Sequence, residues 1–265
     1  MTVAAIDTHA HVHDKAFDED RDAVVHRMRE AAVRTAITVG CDLDDSREAL
    51  QTAARYGIYA SAGIHPHEAK HAPADVEAAL APIVSDERVV AVGEMGLDYY
   101  YDHSPRDAQQ QVFRAQLALA RKHELPAIFH HRDAYEDFTA ILREEWRAGM
   151  RGVVHCFTGD AMQAQTYVRE FGLRLGIGGV VTFKSAHAVR EAVKAIGLEA
   201  LVLETDCPYL APVPHRGKRN EPAYVTVTAH ALAAILETTY DAVVQATTET
   251  ACELFTLPST RASVR

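Results

Sequence analysis

The stretch Ile6–Asp14, "IDTHAHVHD", sets three histidines at alternate positions almost at the start of the chain. In an extended strand, residues two apart share a face, so His9, His11 and His13 project together while Thr8, Ala10 and Val12 face the other way. Two neighbours of that set can reach one metal ion. Two registers fit the spacing, His9 with His11 or His11 with His13, and a histidine-bearing strand end in water fits it as well. The choice depends on what the rest of the chain brings to the same place.

Seven further runs rich in Val, Ile and Leu follow "VAAIDTH": "TAITVGC", "IYASAGIH", "VVAVGE", "PAIFHH", "GVVHCF", "LRLGIGGVV" and "LVLETD". They are too apolar for strands with one wet face, and stretches of helical period separate them. In "DAQQQVFRAQLALARK", 107–122, Val112, Leu117, Leu119 and Ala120 recur at near-helical spacing among Gln and Arg. Strand–helix units repeated eight times predict a single (β/α)8 TIM-type barrel over 1–265, a common length for that fold. Segments 224–238 and 240–255 read as helices finishing the outer ring, and "APVPHRGKRNEP", 211–222, reads as a loop rather than a linker.

The apolar runs end in His9 and His11, His65, Glu94, His130, His155 and Asp206. All strand C-termini of such a barrel gather on one face, where active sites are built, so residues far apart in sequence converge there. Imidazole and carboxylate donors suit Zn²⁺, Mn²⁺, Fe²⁺ or Ni²⁺ better than an all-oxygen shell. Four of these histidines with the two acids already exceed the needs of one tetrahedral ion. Two ions about 3.5 to 4 Å apart would use them all, with Glu94 as the candidate bridge.

Composition narrows the class further. Hydrophobic residues are 48% and charged residues 24%, as in ordinary globular proteins. Twenty-seven basic against 37 acidic residues give a net charge of −10, which argues against coating nucleic acid through a broad basic surface. Cys41, Cys156, Cys207 and Cys252 form no C-x-x-C pair and are expected to be mostly small buried hydrophobes. No apolar run suits a membrane span or secretory leader, so the expected location is the cytoplasm, with no membrane partner and no obligatory protein partner.

Six stretches resemble the TatD family of metal-dependent deoxyribonucleases: "IDTHAH" (6–11), "GIHPH" (63–67), "VGEMGLDYYYD" (92–102), "LPAIFHHRDA" (125–134), "VVHCFTG" (153–159) and "LETDCPYLAP" (203–212), with "RGKRNEP" (216–222) after them. The resemblance implies two divalent ions, Mg, Mn, Zn or Ni, one held by His9, His11, Glu94 and Asp206 and the other by Glu94, His130 and His155. It implies hydrolysis of phosphodiester bonds in DNA, 3′ to 5′ on single-stranded ends, with Asp206 orienting or deprotonating the attacking water. His13 stands where family members usually carry an acid, and is expected to be a loop residue rather than a third ligand.

Around that centre, Arg132 is placed to meet phosphate charge, with a rim ion pair to Asp133 as its alternative. His65 and His67 could bind phosphate or donate a proton. Glu204 shares the strand face of Asp206 and is expected to orient a ligand or tune the base. Lys184 and the cluster Arg216, Lys218 and Arg219 are candidate backbone contacts, and the Tyr99–Tyr101 run could stack an unpaired base or pack its own loop. His26, His71, His123, His187 and His230 are expected to be surface residues. The rival readings are a barrel hydrolase acting on a non-nucleic-acid ester, lactone or amide, and a scaffold without turnover.

Overall fold

The computed structural model describes residues 4–258. Eight parallel strands alternate with helices and follow one another in one sheet in chain order, β1 to β8. They are β1 Ala5–Ala10, β2 Val33–Val39, β3 Tyr59–Ala62, β4 Val89–Asp98, β5 Ala127–Arg132, β6 Gly152–Val154, β7 Arg174–Ile177 and β8 Leu201–Leu203. The last strand meets the first through a parallel bridge between Ala10 and Cys207, which closes the order into the (β/α)8 barrel expected from the repeats. All eight apolar runs contain a strand.

The chain forms two compact units, one taking the N-terminal residues through Ala36 and the chain from Cys156 on, the other Ile37–His155. In the first, β7 and β8 pair in the register Leu175–Leu201, Gly176–Val202 and Ile177–Leu203. Its helices are α1 Arg21–Glu30, the short α6 Ala161–Gln165, α7 His187–Ile196, α8 Val225–Ile235 and α9 Tyr240–Phe255. Thr239 starts α9 by accepting the Ala242 amide, which satisfies one of the donors that a helix N-terminus leaves open. Val243, Val244, Ala251, Leu254 and Phe255 form the buried side of α9.

The second unit holds α2 Leu43–Tyr56, α3 Val76–Val84, α4 Arg106–Lys122 and α5 Tyr135–Glu145. Asp42 caps α2 through the amides of Asp44 and Asp45, and Gly57, at φ +65°, ends it in the left-handed turn that glycine accepts without strain. The α4 stripe buries Val112, Phe113, Leu117, Leu119 and Ala120. Phe113 stacks on Phe138 of α5, and both rings pack edge-on against Phe129 of β5.

One strand departs from the expected pattern in a way that matters for the site. The sequence run "VVAVGE" suggests a strand ending at Glu94, but β4 continues to Asp98. Its register on β5 shifts between Val92 and Met95, then pairs Met95 with Phe129, Gly96 with His130 and Asp98 with Arg132. Gly93 and Gly96 stand at φ +142° and +143°, and a Cβ on Gly96 would fall 2.0 Å from the His130 carbonyl oxygen. Only glycine permits this approach. Glu94 is therefore a mid-strand residue, and the carboxylate at the strand end is Asp98.

Candidate metal centre

The first unit gathers His9, His11 and Asp206, each with a ligand atom within 4.8 Å of the others. His9 is the fifth residue of β1, and His11 directly follows that strand. Asp206 lies three residues past β8, where its amide donates to the His9 carbonyl at 2.8 Å. Nε2 of His9 and of His11 stand 3.8 and 3.5 Å from Asp206 Oδ1. Two ligands about 2.1 Å from one tetrahedral ion stand about 3.4 Å apart, so the trio is spaced as donors around an ion. His13 falls in the turn after β1, buried, with its ring 6.0 Å from that of His11. Of the two registers, the one that meets Asp206 is His9 with His11.

A carboxylate that sequence reading did not single out stiffens this group. Asp7 is fully buried, its Oδ1 accepts the amides of Thr205 and His9 at 2.9 and 3.3 Å, and its Oδ2 accepts the Thr205 hydroxyl at 2.5 Å. Burial pushes its pKa up to about 8 despite the Thr205 bonds. The signal was available in "IDTH", since an acid inside an apolar strand must find partners. Glu204 is also wholly buried, and its Oε1 accepts the Cys156 amide at 2.5 Å. A Cβ on Gly176 would come within 2.0 Å of its Oε2, so that glycine makes room for the acid.

The second unit brings together Glu94, His130 and His155, with His65, His67 and Asp98 around them. His130 Nδ1 and His155 Nε2 lie 2.8 and 3.0 Å from Glu94 Oε1. His130 Nε2 and His67 Nε2 both meet Asp98 Oδ2, at 2.9 and 3.0 Å. Asp98 is fully buried; burial opposes its charge, but the bonds from His130, the Tyr101 amide and His67 outweigh that and hold its carboxyl well below the usual range. For His130, burial disfavours the imidazolium, yet Asp98 and Glu94 raise its pKa overall.

His65, Glu94 and His130 also have ligand atoms within 4.8 Å of one another, and His65 Nε2 is 3.6 Å from Glu94 Oε1. His65 Nδ1, however, accepts the His67 amide at 3.1 Å. Burial, with the nearby His130 charge, drives the His65 pKa well down, so the ring is neutral with its proton on Nε2. With Nδ1 engaged by that amide, Nε2 is the nitrogen turned towards Glu94.

The outer candidates divide. The Arg132 guanidinium lies over the rings of Tyr100 and Tyr101, 4.1 and 4.9 Å from their centroids, and both rings are exposed. Tyr99 instead packs its loop: its hydroxyl donates to Asp137 at 2.8 Å and Arg106 covers its ring. Arg216 sits 3.9 Å over the Phe183 ring, and Lys184 is exposed with its carbonyl accepting from Arg190. Arg219 does not belong to a free basic cluster, because it pairs with Asp20 at 2.7 Å and donates to the Ala16 carbonyl at 2.6 Å. The cysteines also differ from expectation: Cys207 is buried, but Cys41, Cys156 and Cys252 are partly exposed, and none of the four forms a disulfide. His26, His71, His187 and His230 are exposed and His123 is partly so. Among the described residues no helix is long and apolar enough to cross a membrane.

A barrel with imidazole and carboxylate donors in two groups near its strand ends defines a metal-dependent hydrolase. The model of the TatD related DNase family matches residues 6–256, and the chain belongs to that family. It is 43% identical over 250 residues to the uncharacterized metal-dependent hydrolase YabD of Bacillus subtilis, covering 94% of this chain and 98% of that protein. It is 40% identical to the 3′-5′ ssDNA/RNA exonuclease TatD of Rahnella sp., over 79% of this chain and 82% of that one. The crystal structure of YjjV, a TatD homolog from Escherichia coli K12, superposes with a TM-score of 0.91 at 29% identity, covering 97% of this chain and all of that one.

Proposed function

We propose that this chain is a cytoplasmic, single-domain deoxyribonuclease that removes nucleotides from the 3′ ends of single-stranded DNA with two divalent ions. The observation that carries the proposal is the pair of donor groups, His9 with His11 and Asp206, and Glu94 with His130 and His155, in a chain of the TatD related DNase family. One ion would rest on each group. When bound, such ions supply a hydroxide near neutral pH and neutralise charge on the phosphoryl group. Four cysteines without a disulfide agree with a reducing compartment, and the name of the Rahnella relative supports action on single strands, RNA included.

The remaining residues take roles set by their chemistry. Asp206, at the rim of its group, is the acceptor for the proton of the attacking water. Glu204, held by the Cys156 amide, positions the strand end that carries Asp206. His65 presents Nε2–H as a neutral donor to a phosphate oxygen, and Arg132, Lys184 and Arg216 supply positive charge along the strand path.

The test is hydrolysis of a 5′-labelled single-stranded DNA after chelation and add-back of Mg²⁺, Mn²⁺ or Zn²⁺. Progressive shortening from the 3′ end that appears only with metal supports the proposal. Intact DNA beside efficient cleavage of a simple ester or lactone overturns it in favour of a different hydrolase on the same centre.

A further inference from the structure

The segment Glu94–Asp98 puts two carboxylates on one strand face with Gly96 between them, and Gly96 is the β5 register partner of His130. The His130 ring is held at both nitrogens as a result, Nδ1 at 2.8 Å from Glu94 Oε1 and Nε2 at 2.9 Å from Asp98 Oδ2. Asp98 is tightly fixed. Its Oδ1 accepts the amides of Tyr100 and Tyr101 at 3.1 and 2.9 Å, and its Oδ2 also meets His67 Nε2 at 3.0 Å. Its backbone is clamped by the buried side chain of Gln109, which accepts the Asp98 amide at 2.8 Å and donates to the Asp98 carbonyl at 3.2 Å.

With Oδ1 filled by two amides, the carboxylate offers Oδ2 to the two imidazoles. A carboxylate can only accept, so each ring must bring a proton on Nε2. Nδ1, 2.8 Å from the Glu94 carboxylate, is the nitrogen that could give up its proton to an ion while Asp98 keeps the one on Nε2. Asp98 has no oxygen left to ligate an ion itself.

We infer that Asp98 is the positioning residue of the second donor group, acting through His130 to fix the ring's orientation and tautomer so that Nδ1 is the metal-binding nitrogen. The inference rests on the reading of His130 as a ligand given above. A carboxylate behind a metal-binding imidazole holds its orientation and raises its basicity, and loss of such a partner costs 10- to 100-fold in metal affinity. The same residue anchors the amides that carry Tyr100 and Tyr101 and, over their rings, Arg132. One carboxylate thus orders both the ligand and the adjoining rim.

Two measurements test the assignment. Zinc affinity, read by competition with a chromophoric chelator, is compared for the native chain, Asp98→Asn and His130→Ala; a 10- to 100-fold loss in Asp98→Asn and a loss at least as large in His130→Ala are expected. Long-range ¹H–¹⁵N NMR of the zinc-loaded native chain should place the remaining His130 proton on Nε2, and this spectrum decides the matter if Asp98→Asn does not fold. A proton on Nδ1, or native affinity in Asp98→Asn beside weakened binding in His130→Ala, overturns the role of Asp98 while leaving His130 a ligand. Native affinity in both variants overturns the ligand reading and this inference together.

Discussion

The two donor groups use the same residue types but are held in different ways. In the first, His9 and His11 stand 3.8 and 3.5 Å from Asp206, beyond hydrogen-bond reach and near the separation of two ligands on one ion. In the second, His130 and His155 touch Glu94 at 2.8 and 3.0 Å, and a second buried carboxylate stands behind His130. The first group is set by backbone, through Asp7 on the His9 and Thr205 amides and Asp206 on the His9 carbonyl. The second is set by side chains that hold one another. Substitutions should therefore act locally in the first group and spread through the second.

The largest effect sharpens that contrast. Glu94→Gln removes the charge that both His130 and His155 face, and should lower DNA hydrolysis by about 10³-fold or more, as loss of several kcal/mol of charge stabilisation requires. Metal analysis should show His11→Ala losing about one ion per chain with the second group still loaded. If both variants lose all metal equally, the groups are not separately built.

Next comes the strand geometry. Gly96→Ala meets both a positive φ and the His130 carbonyl, and should destabilise the chain by about 3 kcal/mol or more. Gly172→Ala, at φ +70° with open space around it, should cost only about 1 kcal/mol. Urea unfolding of the two variants measures the gap.

A smaller effect is expected from His131, next to His130 on β5. Burial lowers its pKa to about 4, so the folded chain keeps it neutral where an unfolded chain would protonate it. Stability is unaffected above pH 6.5, where both states are neutral, and falls as the pH drops from about 6.5 towards 4. His131→Phe should remove about 2 kcal/mol of that acid-side loss, read as a flatter midpoint-against-pH curve. An unchanged curve would place the acid sensitivity elsewhere.

The smallest effects separate the rim charges. Lys218→Ala should reduce the salt dependence of DNA binding by about one unit of slope, whereas Arg219→Ala, whose guanidinium is spent on Asp20 and Ala16, should leave that slope unchanged and cost about 1 kcal/mol of stability. Fluorescence titrations over a salt series distinguish them.

Most of the centre was legible because its residues end apolar runs, where a polar side chain has few structural reasons to be. His9, His11, His65, His130, His155 and Asp206 all follow that rule. Glu94 met the rule only in appearance: β4 runs four residues past it, and the register shift that permits this depends on close approach to β5, a tertiary fact. Asp98 was hidden by the same misplaced strand end. Arg219 looked like part of a basic loop because its partner Asp20 is 199 positions away in the chain. Asp7 lies within "IDTH", but its partner Thr205 is 198 positions away in the chain, so alternation alone does not reveal its role.

Two kinds of donor group imply two separate metal positions. Crystals grown with Mn²⁺ and measured by anomalous scattering would test that directly. Two peaks should appear per chain, one within ligand distance of His9, His11 and Asp206, and the other at His130 Nδ1 and His155 Nε2 beside Glu94. A single peak, or a second peak ligated by His65 Nε2 in place of His130 Nδ1, would contradict it.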